Sequence, residues 1–326
     1  MRPACPLLVA TLAVMAAAPP AWANWRDNCP VDPEFSDKKP AGKDADQHGV
    51  TPDIDSVFGG TRLVFASRGA AFSSRETSTR ALPRTRMHTT IAHGSATLYR
   101  KTSFNLGGSL TLAHGIRASE PTRDADPDQM VDEIQSDFGS LVGSLHVRWS
   151  FLSRGWRNGI GFRIFGAAPR RGSLDQRILR GELAARSPLE PQLFAERSVG
   201  AAFERRYELR GCFAPFVHVN LAAMANAAHR AGDEELHWFL TGVTALSAGL
   251  HVTDYTSAYI QTGFELDLPR NAIKSSRIQR YRLGVEKNRV WRGLSIGGHL
   301  DLMVGSFDGV FAGLDLSYRF GGAPKP

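Results

Sequence analysis

The chain has 326 residues, 42% of them apolar by type, and a formal net charge of +7 from 39 Lys and Arg against 32 Asp and Glu. Beyond Ala23 no apolar run reaches the roughly 18 residues that a transmembrane helix needs, which excludes that class. The basic residues fall between apolar positions or in loops, without a basic helix or tract, which argues against nucleic acid as a partner.

Met1 to Ala23 reads as a secretory signal peptide. Arg2 supplies the basic end, Leu7 to Ala18 the apolar stretch, and Ala21-Trp22-Ala23 a small-residue cleavage site. Cys5 lies too early to be a lipidated cysteine. Asn24 to Thr51 is polar and Pro-rich with no usable period, so residues 24–56 are expected to form a periplasmic N-terminal arm, loose or plugging a lumen.

From Gly60 onward about twelve strands can be drawn. Leu141, Gly143, Leu145, Val147, Trp149 and Phe151 alternate with Ser140, Val142, Ser144, His146, Arg148 and Ser150. Period two means a strand with two unlike faces. Comparable rows start at Phe104, Leu236, Leu294 and Val310. Weaker strands cover roughly 60–68, 86–98, 159–167, 193–208, 213–223, 257–267 and 278–286, and the one at 86–98 has no clear apolar face. A mean hydropathy of −0.22 is compatible with this, because alternation hides the apolar half of a barrel wall from such averages.

The connections alternate in length. Arg100-Lys101-Thr102, Leu152 to Asn158, Glu208 to Gly211, Thr253-Asp254-Tyr255 and Lys287 to Arg289 read as short turns. Between them lie the long polar segments 69–85, 117–134, 168–192, 224–234 and 268–277. Only Ser306 to Gly309 is short on the other side. Aromatics crowd the short-turn end, among them Tyr99, Phe104, Trp149, Phe151, Trp156, Tyr207, Tyr318 and Phe320. Short periplasmic turns, longer external loops and an interfacial aromatic girdle together predict an all-β, antiparallel, up-and-down transmembrane β-barrel over 57–320, with a tail at 321–326. Both termini on one side require an even strand count, for which twelve fits the length. The expected location is the bacterial outer membrane.

The faces opposite the apolar rows place His146, Arg148, Arg163, His218, His251, Arg282, His299, Asp301 and Arg319 in the lumen, along with Asn220, Gln261, Glu265, Glu286 and Asp315. Such a lining either attracts anions or seals itself through Arg–carboxylate pairs between neighbouring strands. His299 and Asp301 share a face and could orient a catalytic imidazole. No zinc-ligand spacing occurs, so no metal or other cofactor is expected. The acidic run Asp124, Asp126, Asp128, Asp132, Glu133 is at most a weak Ca²⁺ loop. Cys29 and Cys212, delivered to an oxidising compartment on the same side of the barrel, are expected to pair as a disulfide.

The terminal strand ending Leu316-Ser317-Tyr318-Arg319-Phe320 resembles the closing strand of bacterial outer-membrane barrels, which implies the barrel assembly machinery as a partner. Asp53-Ile54-Asp55 followed by Phe58-Gly59-Gly60-Thr61-Arg62-Leu63, and Gly166, Pro169, Gly172 and Gln176, resemble segments of the lipid A 3′-O-deacylases, twelve-stranded outer-membrane barrels. The resemblance implies catalytic roles for Asp55 and Gln176, with lipopolysaccharide and outer-membrane lipids as partners. No His lies between Phe165 and Gln192 to match that family's catalytic His, so the implied role is acyl-chain hydrolysis or lipid A binding without hydrolysis. The alternatives are a narrow diffusion channel with a basic, anion-attracting lumen, and a structural or adhesive barrel acting through its external loops.

Overall fold

A computed structural model describes residues 52–74, 85–101, 103–119, 134–153, 156–169, 197–209, 215–229, 236–253, 256–268, 277–291 and 293–320. Outside them lie the signal peptide, most of the expected arm, the acidic run, Gln176, Cys29, Cys212 and the tail.

The strands are β1 (Arg62–Ser74), β2 (Thr85–Lys101), β3 (Phe104–Ser119), β4 (Ile134–Ser153), β5 (Trp156–Pro169), β6 (Arg197–Leu209), β7 (Phe216–His229), β8 (Leu236–Thr253), β9 (Thr256–Leu268), β10 (Arg277–Trp291), β11 (Leu294–Gly305) and β12 (Phe307–Arg319). Each pairs antiparallel with its sequence neighbour, and β1 pairs with β12, from Arg62 opposite Arg319 to Ser74 opposite Phe307. The sheet is therefore closed, and closure removes the unpaired edges that hydrocarbon cannot solvate.

The side chains alternate between lumen and outer wall. In β9, Ser257, Tyr259, Gln261, Glu265 and Asp267 are buried, while Ile260, Phe264 and Leu268 are exposed. The outward rows of β11 and β12, Ile296, Leu300, Leu302, Val304, Val310, Leu314 and Leu316, are all exposed and apolar. An exposed apolar belt of this extent suits lipid, not water. At the short-turn end Tyr99, Phe104, Trp149 and Phe162 form a chain of ring contacts at 6.5, 5.2 and 6.4 Å between centroids. Arg205 lies 4.5 Å from the centroid of Tyr207 and 5.7 Å from that of Phe151, a cation–π pairing suited to this interface.

Several expected boundaries move. β1 runs on to Ser74 and β7 to His229, into segments expected to be loops, and β12 starts at Phe307, inside the expected turn Ser306 to Gly309. Lys287 to Arg289 is no turn but lies inside β10, where the ladder to β11 shifts between Lys287 and Trp291. An irregular register interrupts alternation and so imitates a chain reversal in the sequence. The turn expected over Leu152 to Asn158 shrinks, because β4 runs to Ser153 and β5 starts at Trp156. The faceless strand at 86–98 is the regular strand β2. Its buried face carries Met87, Thr89, Ile91 and His93, and its exposed face carries Arg86, His88 and Thr90.

The lumen has two tiers. Toward the long-loop end, Met87, Met224, Ile278, Met303 and Phe311 belong to one buried apolar cluster. Toward the short-turn end many of the buried side chains are charged, among them Arg62, Arg148, Arg163, Glu204, Arg206, Glu208, Arg282 and Asp301.

Candidate functional site in the barrel lumen

The charged tier surrounds a segment of the chain itself. Residues 52–59, immediately before β1, are buried within the barrel apart from a half-exposed Phe58. Ser56 caps a 3-10 turn over Val57–Gly59, its hydroxyl accepting from the Phe58 amide at 3.3 Å. Gly60 follows with φ 68°, a left-handed conformation that glycine adopts without strain and that turns the chain into β1.

Arginines from three strands hold the main chain of this segment. Arg282 of β10 donates to the Pro52 carbonyl at 2.8 Å, Arg163 of β5 to that of Asp55 at 2.7 Å, and Arg148 of β4 to that of Val57 at 3.1 Å. Arg62, at the start of β1, folds back onto the Ile54 carbonyl at 2.6 Å. These bonds satisfy carbonyl oxygens that an irregular buried segment would otherwise leave unpaired.

The segment's side chains are held as well. The Asp53 carboxylate accepts from Gln261 at 3.1 Å and from Asn220 at 3.2 Å. Burial pushes this carboxyl up, but Arg280, His218 and Arg282 outweigh it and hold Asp53 below the usual carboxylate range. Asp55 forms an ion pair with Arg163. Ser56 donates to Glu204 at 2.6 Å, and the Val57 amide donates to the same carboxylate at 3.1 Å. His218 Nε2 lies 3.1 Å from Glu204, and its ring meets Phe58 edge-on at 5.8 Å. Glu204 is thus a hub, fully buried and shared by the segment and β7.

Two glycines of β5 make room. A Cβ at Gly159 would overlap the Phe58 ring, and one at Gly161 would overlap the Val57 side chain. The wall is notched where the segment presses on it.

Of the lumen residues expected from sequence, Arg148, Arg163, His218, Asn220, Gln261 and Arg282 converge on this segment. Asp301 instead grips Arg282 through two bonds at 2.7 and 2.8 Å. His299 does not pair with Asp301, because Asp301 is taken by Arg282; its Nδ1 lies 3.5 Å from Asp315, which also meets Arg68 at 3.4 Å. Arg319 sits 3.6 Å from Glu286. His146 is half-buried beside Gly107 of β3. His251 belongs to β8, but its side chain lies outside the described residues. Asp55, expected to be catalytic, is a buried ion-pair partner. Sequence reasoning missed Glu204, Asn220's partner Asp53, and Arg62. The one available signal was that Glu204 shares the inward parity of Arg206 and Ala202 on β6.

A closed antiparallel barrel of twelve strands with an apolar outer wall, an aromatic belt and both strand termini at the short-turn end defines an integral bacterial outer-membrane β-barrel. No family model and no curated protein matches the chain by sequence. Among solved structures it is similar to an outer membrane channel from Pseudomonas putida F1, at 10% identity and TM-score 0.56, over 83% of this chain and 99% of that one. It is also similar to the transport unit of the autotransporter AIDA-I from Escherichia coli, at 10% identity and TM-score 0.49, over 85% and 95% of the two chains. A third likeness is the beta domain of the Bordetella autotransporter Brka, at 11% identity and TM-score 0.47, over 80% and 99%. At such identities the likeness is one of fold. The expected kinship with lipid A deacylases gains no support from these structures.

Proposed function

We propose that the protein is an outer-membrane channel held shut by its own segment 52–59, with a basic lumen that receives small anions when the segment withdraws. One observation carries the reading: Arg148, Arg163 and Arg282, on three strands, spend donors on the main chain of a segment that is not part of the wall. A barrel meant only to be sealed would be as stable, or more so, with apolar side chains there, because buried ion pairs rarely beat apolar packing. Charged walls suit a lumen that is at times filled with water. The Pseudomonas putida F1 protein is named as a channel, which accords with this reading without establishing it.

Val57 and Gly161 provide the test. An ideal Cβ on Gly161 lies 3.4 Å from the Val57 Cβ, close to the separation of about 3.5–4.5 Å that a disulfide spans. Val57→Cys with Gly161→Cys, in a chain whose segment is released by Asp55→Ala and which also carries Cys29→Ser and Cys212→Ser, should be silent in planar bilayers when oxidised and should conduct after reduction. Equal behaviour in the two redox states overturns the proposal. Silence in both, together with a silent Asp55→Ala variant, would favour the structural or adhesive barrel. Hydrolysis of lipid A draws no support from Asp55, which lies inside the barrel and is occupied by Arg163.

A further inference from the structure

The upper tier of the lumen is lined by flexible side chains. The described residues contain three methionines, Met87 of β2, Met224 of β7 and Met303 of β11, and all three lie in the one buried apolar cluster. Ile278 of β10 and Phe311 of β12 belong to it too. These residues face one another across the lumen, since β7 stands opposite β1 and β12 in the closed barrel. Methionine is unbranched and polarisable, so a collar of this kind moulds itself to apolar guests of varied shape.

The arginine layer lies directly beneath. Arg282 pairs in the ladder with Asp301, two residues below Met303 on β11. Arg163 pairs with Ala202 and Ala202 with Ala222, two residues below Met224 on β7. A two-residue step is about 7 Å along a strand. One flank of the collar is polar: Asn226 donates to Thr241 and Thr241 to Asp267, both at 2.7 Å, and Glu265 stands opposite Ile278. These carboxylates repel an anionic group at the collar, and the arginines attract it to the layer below.

The lumen segment shows how the two layers are filled in the docked state. Ile54 is 5% exposed and belongs to the methionine cluster, while the carboxylate of Asp55, the next residue, pairs with Arg163. An aliphatic group against the collar and a carboxylate on an arginine thus already occupy the lumen together.

We infer that the lumen binds an amphipathic monocarboxylate with a medium-chain hydrocarbon body, which the pair Ile54 and Asp55 imitates. The hydrocarbon lies among Met224, Met303, Ile278 and Phe311, and the carboxylate takes the place of Asp55 on Arg163. The inference rests on the channel reading and names the class of anion that the channel serves.

The test uses full-length Asp55→Ala protein, whose segment is released, recorded in planar bilayers carrying chloride current. Octanoate, acetate or octanol is added at one sub-millimolar concentration. Octanoate should interrupt the current for at least about tenfold longer than acetate, which lacks the body, or octanol, which lacks the charge. Burial of about two methylenes suffices for such a ratio. Met224→Gln with Met303→Gln keeps the side-chain length but adds a polar end, and should bring the octanoate-to-acetate ratio of dwell times close to one. Met303→Gln alone should lower the ratio part-way if the double variant assembles poorly. A current that octanoate and acetate interrupt alike overturns the inference and leaves the channel reading standing. A ratio that the methionine variants do not change overturns it too, as do octanol dwell times equal to those of octanoate. Absence of any current refutes the channel reading itself, and the inference falls with it.

Discussion

Arg163 holds Asp55 twice, through the backbone carbonyl at 2.7 Å and through the carboxylate, so one side chain of the wall fixes both the path and the charge of the lumen segment. Asp55→Ala leaves Arg163 buried without its nearest countercharge. Breaking a buried pair in this way costs about 3–5 kcal/mol. The variant should release the segment, raise conductance and expose residues near Pro52 to protease added inside the barrel's mouth. A variant as quiet and as resistant as wild type would refute the assigned role of this pair.

The Gly161 notch predicts a rescue. Gly161→Ala introduces a Cβ that overlaps Val57, and overpacking of this kind costs about 1–3 kcal/mol. Val57→Ala removes the overlapping methyl groups. The double variant should therefore be closer to wild type than Gly161→Ala alone, by unfolding on heated gels and by channel noise. Additive losses would show that the two residues do not touch.

Charge reversal tests what the arginines do in an open lumen. Arg148→Glu with Arg163→Glu should both loosen the segment and change the reversal potential from anion-preferring to cation-preferring. Bilayers with an unchanged ion preference would remove these residues from the conducting path.

Asp53 sets an acid limit. Its carboxyl titrates below the ordinary range in the docked state, so its contribution is fully present above the unfolded-state value of about 3.9 and is lost as pH falls through the lowered one. Docking should therefore hold through mild acid and fail only in strong acid. Asp53→Asn should weaken that acid-dependent step, as read by conductance against pH. A wild-type channel that opens near neutral pH would contradict this assignment.

The Cys29–Cys212 pair is open to a direct chemical test. Alkylation of denatured, non-reduced mature protein should label neither cysteine, and reduction should make both reactive. Two labelled thiols before reduction would end that proposal.

How much of this was legible in the sequence depends on whether a partner is near or far along the chain. β4, β11 and β12 announce themselves because their apolar residues recur at every second position. β2 does not, since its outward His88 and Thr90 are polar while its inward Met87 and Ile91 are apolar, the reverse of the barrel pattern. The irregular ladder after Lys287 disguised strand as turn. The lumen segment has no period at all, and its partners lie far away: Arg148 is 91 positions from Val57 and Arg282 is 230 from Pro52. Alternation identifies Arg148, Arg163 and Arg282 as inward, but nothing local says what they hold. Asp55 was visible only as part of a short echo, and the environment in which it sits decides its role.

The order of biosynthesis gives the remote contacts of residues 52–59 a temporal meaning. This stretch leaves the ribosome before every strand, yet its last donors, Gln261 and Arg282, lie on β9 and β10. A nascent barrel can hold the stretch only loosely through β4, β5 and β6, and the final grip awaits the late strands. Docking thus serves as a marker of completed assembly: an intermediate stalled before β10 would expose Asp53 and Asp55 to the periplasm, where quality-control proteases act on loose, charged chain.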